Sequence, residues 1–155
     1  VQLGGRGRAY ESTVVAFDPD LDLAILAVPG LAVDALPRAG AQPDGTEVAA
    51  LGFPGGGEFT VSPARIRGSI IAAGEDIYGG AGVLREVYSI RGVVRPGNSG
   101  GPLLTNDGAV AGTVFATSAL DAETGYVLTD RATEALLDDA AGFSAKVSSG
   151  ECVLR

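Results

Sequence analysis

Histidine, tryptophan and methionine are absent from this sequence of 155 residues, and cysteine occurs once, as Cys152. A chain without histidine has no imidazole to ligate a metal and no imidazole to act as a general base. A single cysteine has no partner for a disulfide within the chain. We therefore expect no metal and no other cofactor, and any step that needs an imidazole must take it from outside these residues.

Basic residues are also scarce. The chain has 11 Lys and Arg against 19 Asp and Glu, a formal net charge of −8 and a pI of about 4.4. This balance argues against binding to a nucleic-acid backbone, which a basic surface would have to neutralise. No apolar run approaches the length of a membrane span. We therefore expect contact with a membrane only through a segment outside this chain.

Glycine, by contrast, is abundant, with 24 residues besides 8 prolines. Frequent turns favour many short strands over long helices, so the composition predicts an all-β protein. Apolar or alternating runs predict strands near 8–17, 21–28, 47–53, 58–73, 85–94, 101–105, 109–117 and 125–129. The triplet Asn106-Asp107-Gly108 predicts a hairpin turn. One helix is predicted at 130–142, with Asp130 or Thr129 as its cap and Gly142 as its stop.

The segment 95–101 reads "RPGNSGG", with Ser99 among glycines. Its G-x-S-x-G spacing is that of the nucleophile elbow of α/β-hydrolases, but that elbow needs a helix after the serine. Here Pro102 follows shortly and the chain continues into a predicted hairpin, so we reject the elbow. In an all-β loop the N–H groups of Gly97 and Ser99 can instead point into one small cavity and stabilise an oxyanion.

A nucleophilic serine needs a base, and an imidazole base needs a carboxylate to orient it. Asp22 in "LDLAIL" is the favoured carboxylate because it lies inside an apolar run, where we expect it to be partly buried in a strand. Asp18 and Asp20 remain alternatives. The run "DPDLD" could also suggest a calcium loop, but the required Gly and Glu positions hold Leu23 and Pro29.

"GNSGGPL" (97–103) together with "FDPDLDLAIL" (17–26) resembles the chymotrypsin-like (trypsin-fold) serine proteases, in particular the bacterial branch of HtrA-type proteases. The resemblance implies two six-stranded antiparallel barrels followed by a C-terminal helix. It also implies site roles, with Ser99 as nucleophile, Asp22 as the orienting acid and an oxyanion hole at Gly97, Asn98 and Ser99. The strand containing Thr113, Val114, Phe115 and Ala116 would bind the substrate backbone.

The resemblance also divides the chain. Residues 1–36 would be a remnant of the N-terminal barrel, which is incomplete here, and 37–46 the linker between barrels. Residues 47–129 would form the C-terminal barrel, 130–142 the helix and 143–155 a tail. The family places its histidine before the aspartate, so we expect it upstream of Asp22 in a missing N-terminal segment. The 155-residue chain alone should then be inactive.

The function implied is that of a serine endopeptidase that cleaves protein or peptide substrates through an acyl-enzyme, outside the cytoplasm, in the periplasm or cell envelope. For such a location we expect Cys152 to form a disulfide with an upstream cysteine. The missing histidine leaves one alternative from another class, a non-catalytic protease-like domain that holds peptides at the edge of the 113–117 strand.

Overall fold

The computed structural model describes residues 1–152, which form eight strands and one α-helix. The strands are β1 (Thr13–Asp18), β2 (Leu23–Ala27), β3 (Glu47–Gly52), β4 (Thr60–Glu75), β5 (Ala81–Arg91), β6 (Pro102–Thr105), β7 (Val110–Thr117) and β8 (Thr124–Thr129), and the helix is α1 (Asp130–Asp138). Short 3-10 turns lie at Leu3–Gly5, Pro54–Gly56 and Ala140–Gly142.

Strands β3 to β8 close into an antiparallel barrel in the order β3-β4-β5-β8-β7-β6. The predicted hairpin turn joins β6 to β7, where the N–H of Gly108 bonds the carbonyl of Thr105 and the N–H of Thr105 bonds the carbonyl of Ala109. Gly108 takes the left-handed conformation that such a turn requires (φ 83°). The prediction of an all-β protein with an antiparallel barrel is confirmed.

The barrel interior is filled by side chains from all six strands and from the loop after β5. They are Val48, Ala50, Ile66, Tyr88, Ile90, Val94, Leu103, Ala111, Val114 and Val127, each less than 9 % exposed. Alternate residues along a strand face opposite sides of a sheet, so Val48 and Ala50 come from one side of β3, and Tyr88 and Ile90 from one side of β5. In β7, Ala111 and Val114 are three residues apart, and the pairing with β6 is irregular at Ala111. The core therefore depends on the apolar alternation of the sequence.

Strands β1 and β2 form a separate two-stranded antiparallel sheet. Only Val15 and Ala16 of this hairpin are buried. Two backbone bonds tie it to the remainder of the structure: Val147 N–H to the Val14 carbonyl at 2.9 Å, and Ile77 N–H to the Pro19 carbonyl at 3.2 Å. The first part of the chain is thus held against the tip of the β4–β5 hairpin and against the segment after α1.

Residues 37–46, predicted as the linker between barrels, run along the surface of the barrel. The N–H of Ala39 bonds the Val110 carbonyl, and the N–H of Gln42 bonds the hydroxyl of the buried Tyr88, both at 2.8 Å. Arg38 reaches the carboxylate of Asp130 at the start of α1 at 2.6 Å, and this hydrogen bond raises the pKa of Arg38. The segment is therefore part of the folded unit.

The helix is shorter than predicted. It begins at Asp130, with the Thr129 hydroxyl accepting from the N–H of Ala132 at 3.0 Å, as the capping pattern indicated. It ends at Asp138, and the chain then tightens into the 3-10 turn that Gly142 closes. The last three residues of the predicted tail, 153–155, lie outside the described residues.

A buried glycine in β7 offers a test of how closely the barrel strands approach. A Cβ at Gly112 would overlap the carbonyl oxygen of Leu128 on β8. Overpacking of this kind costs about 1–3 kcal/mol. We therefore expect Gly112→Ala to lower the melting temperature of the full-length protein by several degrees.

The matched control is Gly142→Ala, because a Cβ at Gly142 meets no atom within 4 Å. Its melting temperature should stay close to that of the parent protein. Equal melting temperatures for the two variants would contradict the close approach of β7 and β8.

Candidate active site

The loop Arg95–Gly101, between β5 and β6, packs directly onto the segment Leu51–Gly55. A Cβ at Gly97 would overlap the carbonyl oxygen of Phe53, and one at Gly101 would overlap the carbonyl oxygen of Leu51. Gly97 also takes the left-handed conformation (φ 96°). Two of the glycines around Ser99 are therefore required by close contact between two backbone segments.

The loop begins with a tight turn whose peptide groups have fixed directions. The N–H of Asn98 bonds the Arg95 carbonyl at 2.9 Å, and with Pro96 and Gly97 at the centre this is a type II turn. The Pro96 carbonyl accepts from the N–H of Gly55 at 2.7 Å. Because a trans peptide directs its C=O and N–H to opposite sides, the N–H of Gly97 points away from Gly55.

The N–H groups of Gly97 and Ser99 donate no hydrogen bond to any described residue. Both are thus free to donate to an oxyanion, and their role as an oxyanion hole stays a prediction. Asn98 is different: its N–H is used in the turn, and its side chain is 1 % exposed, with Oδ1 accepting from the N–H of Arg95 at 3.0 Å. Including Asn98 among the oxyanion donors was therefore wrong, because Asn98 holds the turn that presents its neighbours.

The Ser99 side chain is exposed, and its hydroxyl oxygen lies 3.5 Å from the carbonyl oxygen of Phe115 on β7. The pairing of β7 with β8 is irregular at this point, since Val114 pairs with Val127 and Ala116 with Tyr126, which leaves Phe115 as an extra residue. β-Bulges commonly redirect a residue beside an active site. This bulge brings the Phe115 carbonyl to the serine.

The structure divides the predicted substrate strand into two parts. Thr113 pairs with Pro102 of β6 and Leu128 of β8, and Val114 bonds Gly100 and Gly101 and is 1 % exposed. Both are therefore bonded on two sides, and assigning them to the substrate was wrong. The pairing of β6 with β7 ends at Thr113, and the serine loop bonds Val114 beyond it. The open edge consists of Phe115, Ala116 and Thr117.

Asp22 is neither buried nor within a strand, contrary to our expectation. It lies in the turn before β2, is exposed and has φ 56°, the one positive φ among the described residues other than glycine. Aspartate tolerates this region better than most residues, and such outliers occur often at functional sites. The apolar neighbours suggested burial, but Leu23 begins a half-buried strand of a two-stranded sheet, so the residue before it remains in solvent.

The geometry of the turn separates the three candidate acids. Asp18 Oδ1 accepts the N–H of Leu21 at 2.9 Å, so this carboxylate is occupied in shaping the turn. Asp22 and Asp20 form no hydrogen bond or ion pair with the described residues. Of the two, only Asp22 is held in a restricted backbone conformation directly before β2.

Within residues 1–152 no group of three or more acidic, cysteine or histidine side chains is placed to hold a metal ion. None of the helices in this range is long and apolar enough to cross a bilayer.

Residues 1–112 match the profile of the family described as trypsin-like peptidase domain. The chain belongs to that family. Two serine proteases of Mycobacterium tuberculosis, MT3772 of strain CDC 1551 and Rv3671c of strain H37Rv, are each 48 % identical over 149 residues. These alignments cover 94 % of this chain and 37 % of each relative. The chain therefore spans well under half the length of these relatives.

Solved structures agree with this assignment. The active form of the Rv3671c protease superposes with a TM-score of 0.88 at 47 % identity, over 94 % of this chain and 64 % of that one. An inactive form gives 0.75 over 88 % of this chain and 68 % of that one. The HtrA-type protease AlgW with a decapeptide gives 0.72 at 23 % identity, over 88 % of this chain and 42 % of that one, which shows a shared fold.

Glycines of the serine loop allow a direct test of its packing. We expect Gly97→Ala in the full-length protein to displace the Gly97 N–H, because the new methyl group overlaps the Phe53 carbonyl. Loss of one oxyanion donor costs roughly 10²- to 10³-fold in rate. The measurement is the rate at which a fluorophosphonate labels Ser99, together with the melting temperature.

Gly100→Ala is the control for backbone strain, since Gly100 also has a positive φ (78°) but open space around its Cβ. Gly100→Ala should lower the free energy of unfolding by about 1–2 kcal/mol, which is the strain of placing alanine at a positive φ. If Gly97→Ala loses no more stability than Gly100→Ala, the close contact with Phe53 has no energetic importance.

Proposed function

We propose that the protein containing this chain is a serine endopeptidase that cleaves extended peptide segments through an acyl-enzyme. The observation that carries the proposal is the arrangement around Ser99. An exposed hydroxyl lies beside the open β7 edge, and the N–H groups of Gly97 and Ser99 are without acceptors among the described residues.

In this mechanism a substrate strand pairs with Phe115–Thr117, so its scissile carbonyl lies beside Ser99. The Ser99 hydroxyl attacks the carbonyl carbon and gives its proton to an imidazole supplied from outside this chain. The carbonyl oxygen becomes an oxyanion held by the N–H groups of Gly97 and Ser99. The imidazolium then protonates the leaving amine, which departs and leaves an acyl-serine.

A water molecule hydrolyses the acyl-serine by the same route in reverse, with the imidazole as base. Asp22 orients the imidazole and stabilises its charged form. The exposed position of Asp22 supports this role, because an exposed carboxylate can accept a hydrogen bond from an imidazole that lies on another segment of the protein. The segment expected to bring the histidine is therefore a partner of this chain in catalysis.

Substitution of the aspartate tests the assignment. In the full-length protein we expect Asp22→Asn to lower kcat by roughly 10⁴-fold, because an amide favours the wrong imidazole tautomer. Hydrolysis of an unstructured protein substrate and fluorophosphonate labelling of Ser99 provide the measurements, with Ser99→Ala as the blank.

Asp20→Asn is the matched control, because Asp20 lies two residues earlier in the same turn and is also exposed. It should leave kcat unchanged. A full-length protein that binds peptides but is neither labelled at Ser99 nor hydrolytic would favour the non-catalytic peptide-binding domain.

We further propose that the protein works outside the cytoplasm, in the periplasm or cell envelope, with any membrane attachment and any role under acid stress depending on segments beyond this chain. This location is the one implied by the resemblance of the serine loop to the bacterial HtrA-type branch. Cys152 is exposed, so its thiol is accessible to a partner. Nearby, the Tyr78 hydroxyl donates to the Ser149 carbonyl at 3.0 Å and holds this end of the chain beside the β4–β5 hairpin.

In the oxidised full-length protein we expect Cys152 to form an intramolecular disulfide with an upstream cysteine. A bridge closing a loop of well over a hundred residues stabilises by up to roughly 4–5 kcal/mol in the chain-entropy model. Peptide mapping without reductant should recover a cross-linked Cys152 peptide, and reductant should release it. A Cys152 that is alkylated freely without reductant would contradict the proposal.

A further inference from the structure

Arg85, in β5, is a buried cation without a carboxylate. The residue is only 5 % exposed. It lies on the outer face of the barrel, opposite the face that carries the core residues Tyr88 and Ile90. None of the ion pairs among the described residues includes Arg85. A buried charge is costly unless it is paired, so this position requires an explanation.

The contacts within the chain satisfy Arg85 only in part. One terminal nitrogen, Nη2, donates to the Glu75 carbonyl at 2.9 Å, and the guanidinium lies 5.0 Å from the centre of the Phe115 ring. Its Nε is buried and has no acceptor among the described residues. Arginine presents its N–H groups as a rigid fork that fits two oxygens of one carboxylate. The unused donors are thus suited to an anion.

A cavity of about 360 Å³ adjoins this side chain. Apart from Arg85 its lining is apolar or uncharged, with Ile70, Ala72 and Val87 on the β4–β5 hairpin and Tyr126 on β8. Another wall of the cavity is Phe115, Ala116 and Thr117, which is the open edge of β7 beside Ser99. A buried cation therefore borders a cavity that opens along the proposed substrate strand.

We propose that Arg85 is a specificity-determining residue, and that the cavity receives an acidic side chain of the peptide substrate. This inference rests on the proposed endopeptidase function. A carboxylate is the group that complements a guanidinium with free N–H donors, and the apolar walls would accept the methylenes of glutamate. The Nε donor loses its hydration when it is buried, and a charge-assisted hydrogen bond to the substrate carboxylate would offset that cost.

The strand geometry limits the preference for an acidic side chain to few positions of the peptide substrate. Successive side chains of an extended peptide point to opposite sides, so a peptide paired with Phe115–Thr117 directs only alternate residues toward the cavity. We therefore expect the acidic preference at one position within four residues before the scissile bond. The neighbouring positions should be indifferent to charge.

The test uses the full-length protein and quenched fluorescent peptides that differ at one position, carrying Glu, Gln or Leu. At the selected position we expect kcat/KM for Glu to exceed that for Gln by roughly ten- to hundredfold. In Arg85→Gln this ratio should fall to about one, while kcat/KM for the Gln peptide changes little. Arg85→Lys should retain part of the ratio, because it keeps the charge but not the fork.

Arg91→Gln is the matched control, since Arg91 lies on the same strand but is exposed and lies 3.6 Å from Glu123. It should leave the Glu preference intact. Melting temperatures show whether each variant folds. If Arg85→Gln does not fold, Ala72→Leu provides a second test. Ala72 pairs with Arg85 across the β4–β5 hairpin, so the larger side chain would fill the cavity and should reduce the preference for Glu.

The outcomes separate this inference from the proposed function. Cleavage of the peptides without a Glu preference at any position overturns the role of Arg85 and leaves the endopeptidase proposal standing. A Glu preference that persists in both Arg85→Gln and Ala72→Leu also overturns it. Failure of every peptide, with no fluorophosphonate label on Ser99, would instead contradict the endopeptidase function itself.

Discussion

The site depends on the close contact of two backbone segments, Arg95–Gly101 and Leu51–Gly55. The N–H of Phe53 bonds the Gly97 carbonyl at 3.1 Å, and the N–H of Gly55 bonds the Pro96 carbonyl at 2.7 Å. These two bonds fix the orientation of the Pro96–Gly97 and Gly97–Asn98 peptide groups. Side chains at Gly97 or Gly101 would separate the segments. The orientation of the Gly97 N–H follows from this contact, because a fixed carbonyl fixes the N–H on the other side of its peptide. The Ser99 N–H shares its peptide with the Asn98 carbonyl, which is held within the loop by the Gly101 N–H at 2.9 Å.

A second constraint is the irregular pairing of β7. Up to Val114 this strand is part of the barrel and bonded on both sides, whereas from Phe115 onward one edge is open. The extra residue in β7 turns the Phe115 carbonyl toward Ser99 and its ring toward Arg85. One strand thus contributes to the core, to the substrate edge and to the cavity, within eight residues.

The long β4–β5 hairpin connects these features to the acid. Strand β4 has 16 residues, more than the barrel needs, and the hairpin tip reaches the turn between β1 and β2 through the bond of Ile77 to Pro19. The same hairpin carries Arg85 and binds the segment after α1 through Tyr78. It therefore holds the proposed orienting acid, the cavity and the C-terminal part of the chain in one folded unit.

The local sequence determined the strands, the Asn106-Asp107-Gly108 turn, the capped start of α1 and the serine loop, because each depends on neighbouring residues and on alternation along the chain. The exposure of Asp22 depends on how little of the β1–β2 sheet is covered, and the two-sided bonding of Thr113 and Val114 depends on β6, β8 and the serine loop. The use of the Asn98 N–H depends on the turn that forms around it, so the pattern of apolar and polar residues could not reveal these features. Arg85 gave no sequence signal at all. Its burial arises only when β4, β5, β7 and β8 come together, since the cost of a buried charge is set by the surrounding structure and not by its neighbours in sequence.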